Sequence, residues 1–419
     1  MGEAREKALA AREAATALAL ADTAQRDDAL RAMARALRDH ADAIVEANGR
    51  DMAAAREGGT KESLLDRLAL DAGRVDAMAD ALVALTELPD PLNRMQLERD
   101  LPNGLHLKRV SVPLGVVAVV YEARPNVTAD AAGICLKAGN AVVLRGGSMA
   151  RHSNKAIVGI LQDAAAAAGL PVGCIQGIES TDRSETDELM GLHGIVDVLV
   201  PRGGAGLIQH CVECAKVPVI ETGTGNCHVY VHGSADLDRA LDIVLNAKCR
   251  RYGVCNAAET LLVDARVADA FLPRALEALS QRGVVLHTDE YASDIAAAAG
   301  VPFALATVQD WETEYLAPEI AVRVVSDLHQ AIGHINRYST KHSEAIVATD
   351  QAAIDDFCAQ VDAAAVYVNT STAFTDGGEF GLGAEIGIST QKLHVRGPFA
   401  LEALTTYKYI VTSDGAVRP

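Results

Sequence analysis

The sequence predicts an α/β protein with two doubly wound parallel sheets in tandem and a separate arm made of a β-hairpin and a C-terminal strand. From residue 113 onward, short Val- and Ile-rich segments alternate with helical stretches, and the alternation falls into two series that divide near residue 227. Strands separated by helices form parallel sheets that are covered on both faces. The chain has 419 residues, which exceeds the usual size of one hydrophobic core, so more than one domain is expected.

The N-terminal segment, up to about residue 90, predicts two to four amphipathic helices. Leu30, Met33 and Leu37 recur at helical spacing with charged residues between them. The sequence ELPDPLN at 87–93 interrupts this pattern. The next segment alternates polar and apolar residues around Asn103-Gly104, which predicts a hairpin over residues 94–112.

The remaining strands follow from the apolar segments of the two series. The first series predicts strands at 113–121, 140–145, 173–178, 195–201 and 218–222. The second predicts strands at 227–232, 260–265, 319–325, 344–349 and 364–369. The last segment, 400–413, reads as one strand with no helix after it, and we expect it to pair with the 94–112 hairpin or with another subunit.

Charge and composition exclude several classes of protein. The net charge is −18, and binding to nucleic acid or to an anionic membrane needs a basic surface. No apolar run approaches the roughly 20 residues that span a bilayer, and the N-terminus lacks the apolar stretch of a signal peptide. The eight cysteines are irregularly spaced, unlike a disulfide framework. We therefore expect a cytoplasmic protein with reduced cysteines.

A glycine-rich turn follows the predicted strand 195–201. Arg202, Gly203 and Gly204 stand between that strand and a helix, where backbone N–H groups can approach a phosphate and the guanidinium can add charge. The segment is not a G-x-G-x-x-G motif, because Gln209 occupies the place of the third glycine. Nucleotide binding and an ordinary tight turn both remain open on this evidence.

Cys255 differs from the other cysteines by its context. It lies in a Gly-containing loop between a helical stretch and a strand, where a thiolate can be stabilised by backbone N–H groups. The other seven cysteines lie in apolar patterns typical of core thiols. The pair Cys211 and Cys214 has no second pair to form a zinc site, so buried helix thiols are expected there. No metal site is predicted.

Two further loops combine glycine with hydroxyl side chains directly after strand ends. They are residues 221–228 and 369–385. In α/β proteins such loops hold ligands, although they are equally typical of surface turns.

Taken together, these segments resemble the gamma-glutamyl phosphate reductase family of the aldehyde dehydrogenase superfamily. The resemblance covers nearly the whole chain and rests on 121–147, 200–208, 221–231, 255–263, 325–346, 366–390 and 389–409. Tyr252 departs from the family pattern, which usually has proline there, while Cys255 and Asn256 are in place.

The resemblance implies an aldehyde-dehydrogenase-like fold in three parts. These are a cofactor-binding domain (1–93 and 113–226), a catalytic domain (227–390) and an oligomerisation arm (94–112 and 391–419). It also implies reduction of L-glutamyl 5-phosphate by NADPH to L-glutamate 5-semialdehyde and phosphate, the second step of proline synthesis. The expected assembly is a homodimer or a dimer of dimers joined by the arm, with transient contact to a separate glutamate 5-kinase.

The resemblance also assigns roles to individual residues. It implies Cys255 as the nucleophile and the Asn126 side chain as an oxyanion donor. On the cofactor side it implies Glu221, Glu314 at the nicotinamide ribose, and Arg145 near the adenosine ribose, where a guanidinium would favour a 2′-phosphate and therefore NADPH. Arg202, Gly203 and Gly204 of the glycine-rich turn are the candidates for the phosphates. Glu221 matches the general base of hydrolytic relatives, so its role stays open. Arg124 and Arg396 are candidates for the anionic groups of the substrate.

Two alternatives remain on the sequence alone. One is another aldehyde dehydrogenase activity, hydrolytic or CoA-acylating. The other is a catalytically silent NADP-binding protein that acts as a scaffold, against which Cys255 and Asn126 argue.

Overall fold

The computed structural model describes residues 2–122 and 124–418, which form two compact units. The first unit comprises residues 2–222, 382–387 and 399–418, and the second comprises 223–381 and 388–398. The chain therefore passes from the first unit to the second at Thr222–Gly223, four residues before the boundary expected from the sequence.

The first unit begins with five α-helices and continues into a strand–helix series. Its helices are α1 Glu3–Leu18, α2 Thr23–Asp39, α3 Ala41–Glu57, α4 Glu62–Leu68, α5 Ala72–Glu87, α6 Asn126–Lys137, α7 Arg151–Ala167, α8 Arg183–Met190 and α9 Ala205–Cys214. Its strands are β1 Met95–Asp100, β2 His106–Pro113, β3 Val116–Tyr121, β4 Ala141–Gly146, β5 Ile175–Gly177 and β6 Val198–Arg202.

A four-stranded parallel sheet of order β5-β4-β3-β6 forms the centre of the first unit. All six residues of β3 are buried, as expected for a strand that is covered on both faces. Helix α2 packs against α5, α6 and α7. Its residues Leu30, Met33 and Leu37 are fully buried, as their helical spacing predicts.

A second sheet of the first unit has three antiparallel strands in the order β1-β2-β16, where β16 is Thr405–Thr412. The predicted hairpin is confirmed, and Gly104 adopts φ 83° in its turn. The predicted C-terminal strand is shorter than expected, because Glu402–Leu404 forms a 3₁₀ turn before it. Strand β16 pairs with β2 over its whole length.

The second unit is built on a seven-stranded parallel sheet of order β10-β9-β11-β8-β7-β12-β13. Its strands are β7 Cys227–Val231, β8 Ala258–Asp264, β9 Val285–Thr288, β10 Ala304–Leu305, β11 Glu319–Val325, β12 Ser343–Val347 and β13 Ala365–Val368. Its helices are α10 Leu237–Cys249, α11 Ala265–Ser280, α12 Glu290–Ala298, α13 Val308–Glu312, α14 Leu328–Tyr338 and α15 Gln351–Gln360. Two short strands, β14 Gly387–Ser389 and β15 Gly397–Phe399, pair with each other.

One predicted strand is wrong. Residues 218–222 make a single bridge, between Val219 and Leu199 of β6, and form no continuous ladder. Pro218 has no backbone N–H to donate, which limits pairing there. Strands β9 and β10 lie between the predicted strands 260–265 and 319–325 and were not predicted.

The described residues contain neither a membrane-spanning helix nor a cluster of metal ligands. No helix among them is long and apolar enough to cross a bilayer. Within the same ranges, no group of three or more His, Cys, Asp or Glu side chains is arranged to hold a metal ion.

Candidate active site

Cys255 lies in the second unit, in the loop between α10 and β8. Its side chain is partly exposed, whereas Cys135, Cys174, Cys211 and Cys227 are buried. The prediction that the other seven cysteines are core thiols is wrong for Cys214 and Cys358, which are exposed. Both lie on outer helix positions, where an apolar neighbourhood in sequence does not imply burial. Cys214 instead contacts His210, with 3.6 Å between Sγ and Nδ1.

The backbone of Gly225 lies directly against Cys255. A Cβ atom added to Gly225 would be 1.5 Å from the carbonyl oxygen of Cys255 and 2.7 Å from its Cα, so no other residue fits there. The Cys227 thiol donates to the same carbonyl oxygen at 3.1 Å. Burial raises the pKa of Cys227, so this thiol stays protonated and remains a donor. These contacts fix the backbone that carries the Cys255 thiol.

Asn256 anchors the loop of residues 250–257 that carries Cys255, which we call the thiol loop. Its Nδ2 donates to the carbonyl oxygens of Ala373 at 3.2 Å and Thr375 at 3.0 Å. Its own carbonyl oxygen accepts from the Thr372 hydroxyl at 2.8 Å. The polar loop 369–385 therefore supports the thiol loop through three hydrogen bonds.

Glu314 is joined to the thiol loop through Gly225. Its Oε1 accepts the Gly225 N–H at 2.6 Å. Burial raises the pKa of Glu314, and the Gly225 N–H partly offsets that effect. The sequence assigned Glu314 to the cofactor side, and the second unit brings this carboxylate to the same backbone that contacts Cys255.

A buried ion pair joins α10 to β8, the two elements that flank the loop of Cys255. Lys248 of α10 and Glu259 of β8 are both fully buried, with 2.5 Å between Nζ and Oε2. Glu259 Oε1 also accepts the N–H of Leu316 at 3.3 Å, two residues after Glu314. Sequence reasoning missed this pair, although the spacing of a lysine at a helix end and a glutamate inside an apolar strand was visible.

Asn126 lies in the first unit, at the first residue of α6. Ala123, three residues before it in the sequence, lies outside the described residues. The Asn126 Nδ2 donates to Oδ2 of Asp130 at 3.0 Å. Burial raises the pKa of Asp130 to about 6, while the Asn126 amide and the Arg202 guanidinium act in the opposite direction. Asp130 was not singled out from the sequence, although a spacing of four residues on a helix was a usable signal.

The Arg202–Gly204 turn connects β6 to α9, as predicted. Gly204 precedes the first residue of the helix, and its N–H donates to Oε2 of Glu122 at 3.1 Å. The helix N-terminus is therefore already paired with a carboxylate, which satisfies the positive end of the helix dipole. A phosphate at this turn would replace Glu122.

An open cavity lies at the carboxyl ends of β3, β4 and β5. Gly146 and Gly147 line it, as do three cations, which are Lys7 of α1 and Arg151 and Lys155 of α7. Ligands of doubly wound sheets bind at this edge. Lys155 is paired with Glu179 at 2.6 Å.

Arg145 does not line this cavity. Its side chain is buried, and its guanidinium donates to the carbonyl oxygens of Gly146 at 2.9 Å, Asp182 at 3.1 Å and Thr181 at 3.3 Å. These bonds hold the loop at 181–182 against the end of β4. The geometry therefore gives Arg145 a bracing role and leaves the cavity cations to face a ligand.

The other predicted site residues are spread over both units. Glu221 is half-buried in the first unit, after the segment that bridges to β6. Arg124 is exposed just before α6. Arg396, in the second unit, is bonded to Asp362 at 2.8 Å, and Lys341 and Lys392 contact the same carboxylate. These cations hold the pKa of Asp362 well below its usual range.

Comparisons with known proteins agree on one family. A family model described as the aldehyde dehydrogenase family matches residues 2–299. Gamma-glutamyl phosphate reductase from Moorella thermoacetica is 55% identical over 99% of this chain and 99% of its own length. The enzyme of that name from Thermobifida fusca is 53% identical over 99% of this chain and 98% of its own length.

Solved structures give the same result. The crystal structure of gamma-glutamyl phosphate reductase from Thermotoga maritima matches with a TM-score of 0.97 at 45% identity and 100% coverage of both chains. An acetylating aldehyde dehydrogenase from Geobacillus thermoglucosidasius, 22% identical, shares the fold with a TM-score of 0.69, covering 100% of this chain and 97% of its own. The chain belongs to the aldehyde dehydrogenase family and, within it, to the gamma-glutamyl phosphate reductases.

Proposed function

We propose that this chain reduces L-glutamyl 5-phosphate to L-glutamate 5-semialdehyde and phosphate, the second step of proline biosynthesis from glutamate. The observation that carries the proposal is the partly exposed Cys255, on a loop fixed by Gly225, Cys227 and Asn256. It stands in a chain that is 55% identical, over 99% of its length, to a relative named for this reaction.

The chemistry fits a cysteine nucleophile. The Cys255 thiolate attacks the acyl carbon of the substrate, a C–S bond forms, the C–O bond to phosphate breaks, and a thioester remains. In the attack the acyl oxygen gains negative charge, which preorganised donors stabilise. We assign that role to the Asn126 amide and to the backbone N–H of Cys255. A bound nicotinamide would supply the hydride for reduction of the thioester; the C–S bond then breaks, which releases the aldehyde and restores the Cys255 thiolate.

The first unit offers a site that fits a dinucleotide. Membership of the aldehyde dehydrogenase family implies a nicotinamide cofactor. Gly146 lines the cavity, and a Cβ atom added there would be 2.0 Å from Asn154 Nδ2, so α7 packs against this strand end too closely for a larger residue. Glycine-lined space at the ends of parallel strands suits a nucleotide.

We further propose NADPH in preference to NADH. Lys7, Arg151 and Lys155 face this cavity, against the single carboxylate of Glu179. An excess of positive charge favours a cofactor that carries a 2′-phosphate. The cation predicted for this contact, Arg145, is occupied with backbone carbonyls, so we assign the contact to Lys155 and Arg151 instead.

The assembly and cellular context are also proposals. The exposed outer edge and face of β16 support a homodimer, or a dimer of dimers, joined by the three-stranded sheet. We also infer a cytoplasmic location and transient contact with a separate glutamate 5-kinase, because acyl phosphates hydrolyse readily and are best transferred quickly between enzymes.

One alternative activity has a residue in its favour. Glu221 stands where the resemblance puts the general base of hydrolytic aldehyde dehydrogenases. Three assays with L-glutamate 5-semialdehyde and NADP⁺ separate the possibilities, one with phosphate, one with CoA and one with neither. The proposal predicts sustained NADPH formation only with phosphate. Sustained turnover with neither acceptor would assign the hydrolytic activity, and turnover only with CoA would assign the acylating one.

A further inference from the structure

Helix α6 carries an amide–carboxylate pair one turn apart. Asn126 Nδ2 donates to Asp130 Oδ2 at 3.0 Å, and both residues project from the N-terminal half of the helix. Asn126 is exposed and Asp130 is half-buried. A capping role does not explain the contact, because the carboxylate lies beyond the first turn and its partner is a side-chain amide.

An asparagine that serves an oxyanion has an orientation problem. Its amide has a donating end, NH₂, and an accepting end, Oδ1, and the two differ little in shape. Rotation by 180° about the last side-chain bond would present Oδ1 to the developing negative charge. Such an exchange turns an attraction into a repulsion, so an exposed asparagine needs a second partner that selects one orientation.

An ionised carboxylate makes that selection. It has no proton to donate, so it bonds only to the NH₂ end of the amide. The amide nitrogen carries two hydrogens, and when one is held by Asp130 the other remains available for the substrate oxygen. Burial raises the pKa of the Asp130 carboxyl to about 6 and Arg202, at the end of β6, acts in the opposite direction, so the carboxyl is mostly ionised at neutral pH.

We propose that Asp130 is a positioning residue, which accepts a hydrogen bond from Asn126 Nδ2 and thereby aims the amide NH₂ at the carbonyl oxygen of the bound acyl group. The inference rests on the proposed function, which gives Asn126 its role. It adds a second residue whose only contribution to the reaction passes through Asn126.

A double-mutant cycle tests the proposal. The variants are Asp130→Leu, which removes the acceptor and keeps the branching of the side chain, Asp130→Asn, which keeps one acceptor oxygen, Asn126→Ala, and Asn126→Ala with Asp130→Leu. A matched control is Asp355→Leu on α15, where Gln351 and Asp355 form an exposed amide–carboxylate pair at the same spacing, 2.7 Å apart. The kcat and the KM for NADPH are measured for each, with circular dichroism to confirm folding.

Loss of an oxyanion donor costs about 10²- to 10³-fold in kcat, so Asn126→Ala should show a loss of that size. Asp130→Leu should lower kcat about ten- to a hundredfold with an unchanged KM for NADPH, and Asp130→Asn should recover part of the loss. In the Asn126→Ala background, Asp130→Leu should cost less than about twofold, because there is no amide left to orient. Asp355→Leu should leave kcat unchanged.

Two results would overturn the inference. The first is a loss from Asp130→Leu that is as large in the Asn126→Ala background as in the unsubstituted enzyme, since that pattern describes a purely structural residue. The second is full activity of a folded Asp130→Leu variant, or of Asp130→Ala if the leucine variant does not fold. If the unsubstituted enzyme lacks phosphate-dependent turnover, the proposed function fails instead, and the inference fails with it.

Discussion

At the scale of single residues, each proposed site residue owes its environment to a neighbour of a specific type. Cys255 is fixed by a glycine that no larger residue can replace and by a buried thiol that donates to its carbonyl. Asn126 is oriented by a carboxylate one turn along the helix. Glu314 is held by a single backbone N–H.

The first residue-scale prediction concerns the pH dependence that Asp130 imposes. Its pKa is raised from 3.8 to about 6, and the facing groups are Asn126 on its own helix and Arg202 on β6. Below about pH 6 the carboxyl is protonated and can donate to Asn126 Oδ1, so it stops selecting the productive orientation. The kcat of the unsubstituted enzyme should therefore fall below about pH 6, and Asp130→Asn should remove this acidic limb.

The stability of the protein should depend on pH in the opposite direction to kcat. The folded pKa lies above the unfolded value, so the folded protein keeps a proton that the unfolded chain releases between these two values. Asp130 should therefore lower the free energy of unfolding as pH rises through this window. Urea unfolding of the Asp130→Asn variant across the same range should show a smaller decline, and an unchanged decline would contradict the assignment.

The second residue-scale prediction concerns cofactor choice. Lys155→Met should weaken NADPH about tenfold more than NADH, because a charge-assisted bond to the 2′-phosphate is lost at an exposed site. Arg145→Met should lower the thermal midpoint and leave the ratio of the two affinities unchanged, since its guanidinium bonds only to backbone oxygens. Fluorescence titration with NADPH and with NADH measures the two affinities of each variant, and thermal unfolding measures the midpoint. If Arg145→Met weakened NADPH more than NADH and Lys155→Met did not, the 2′-phosphate contact would belong to Arg145.

Sequence reasoning identified residues with a distinctive local context and missed those that act through space. Cys255 could be separated from the other cysteines because it lies in a loop. The side-chain environment of Arg145 could not be foreseen, because the carbonyls of residues 181 and 182 come from a distant loop. Asp130 was missed because its apolar neighbours dominate the pattern of α6.

At the scale of secondary-structure elements, the Lys248–Glu259 pair joins α10, which precedes the thiol loop, to β8, which follows it. Burial lowers the pKa of Lys248 and raises that of Glu259 to about 7, so each depends on the other to stay charged. The contact from Glu259 to the Leu316 N–H extends this support to the segment that carries Glu314.

The prediction for this pair is a large, pH-dependent loss of stability when one partner is removed. Lys248→Met leaves a buried carboxylate without a cation and should cost about 3 to 5 kcal/mol of unfolding free energy at pH 8. The cost should shrink at pH 6, where the carboxyl can take up a proton. Combining it with Glu259→Leu should restore much of the loss. Urea unfolding at the two pH values measures this, and an equal cost at both would argue against an uncompensated charge.

Elements with a clear period were predictable from the sequence, and elements defined by their partners were not. The strands β3, β4, β7, β8 and β11 follow apolar segments that are long enough to identify, and the hairpin follows its Asn-Gly turn. Residues 218–222 have the composition of a strand, yet they pair through one bridge only. The short strand β9 gains its place from β11 and β10 gains its place from β9, and no local pattern reveals either pairing.

At the scale of the whole molecule, the arm completes its own sheet within one chain. Leu401 and Leu404, which lie just before β16, are both already buried in the single chain, so a partner subunit is not needed to cover them. Ile410 is 42% exposed on one face of β16. Tyr407, Tyr409 and Val411, each about half-exposed, alternate and therefore share the other face. A dimer contact would use this face or the outer edge of the strand.

This arrangement predicts the effect of charges on the strand. Tyr409→Lys combined with Val411→Lys should shift sedimentation from dimer to monomer at micromolar concentration, because unpaired charges are costly in an apolar interface. Val417→Lys, at a position that is 87% exposed beyond the strand, is the matched control and should sediment as the unsubstituted protein does. A double variant that remains dimeric would place the interface on another surface.

We propose above all that Cys255 forms a thioester that phosphate cleaves to the acyl phosphate. The most direct test is rapid mixing of the enzyme with L-glutamate 5-semialdehyde and NADP⁺ in phosphate-free buffer. We predict a burst of at most one NADPH per subunit that then stops, resumes when phosphate is added, and is absent in Cys255→Ala. The Cys214→Ala variant should show the full burst, since its exposed thiol has no part in the reaction. Continued turnover without phosphate, or a burst that survives in Cys255→Ala, would contradict the account.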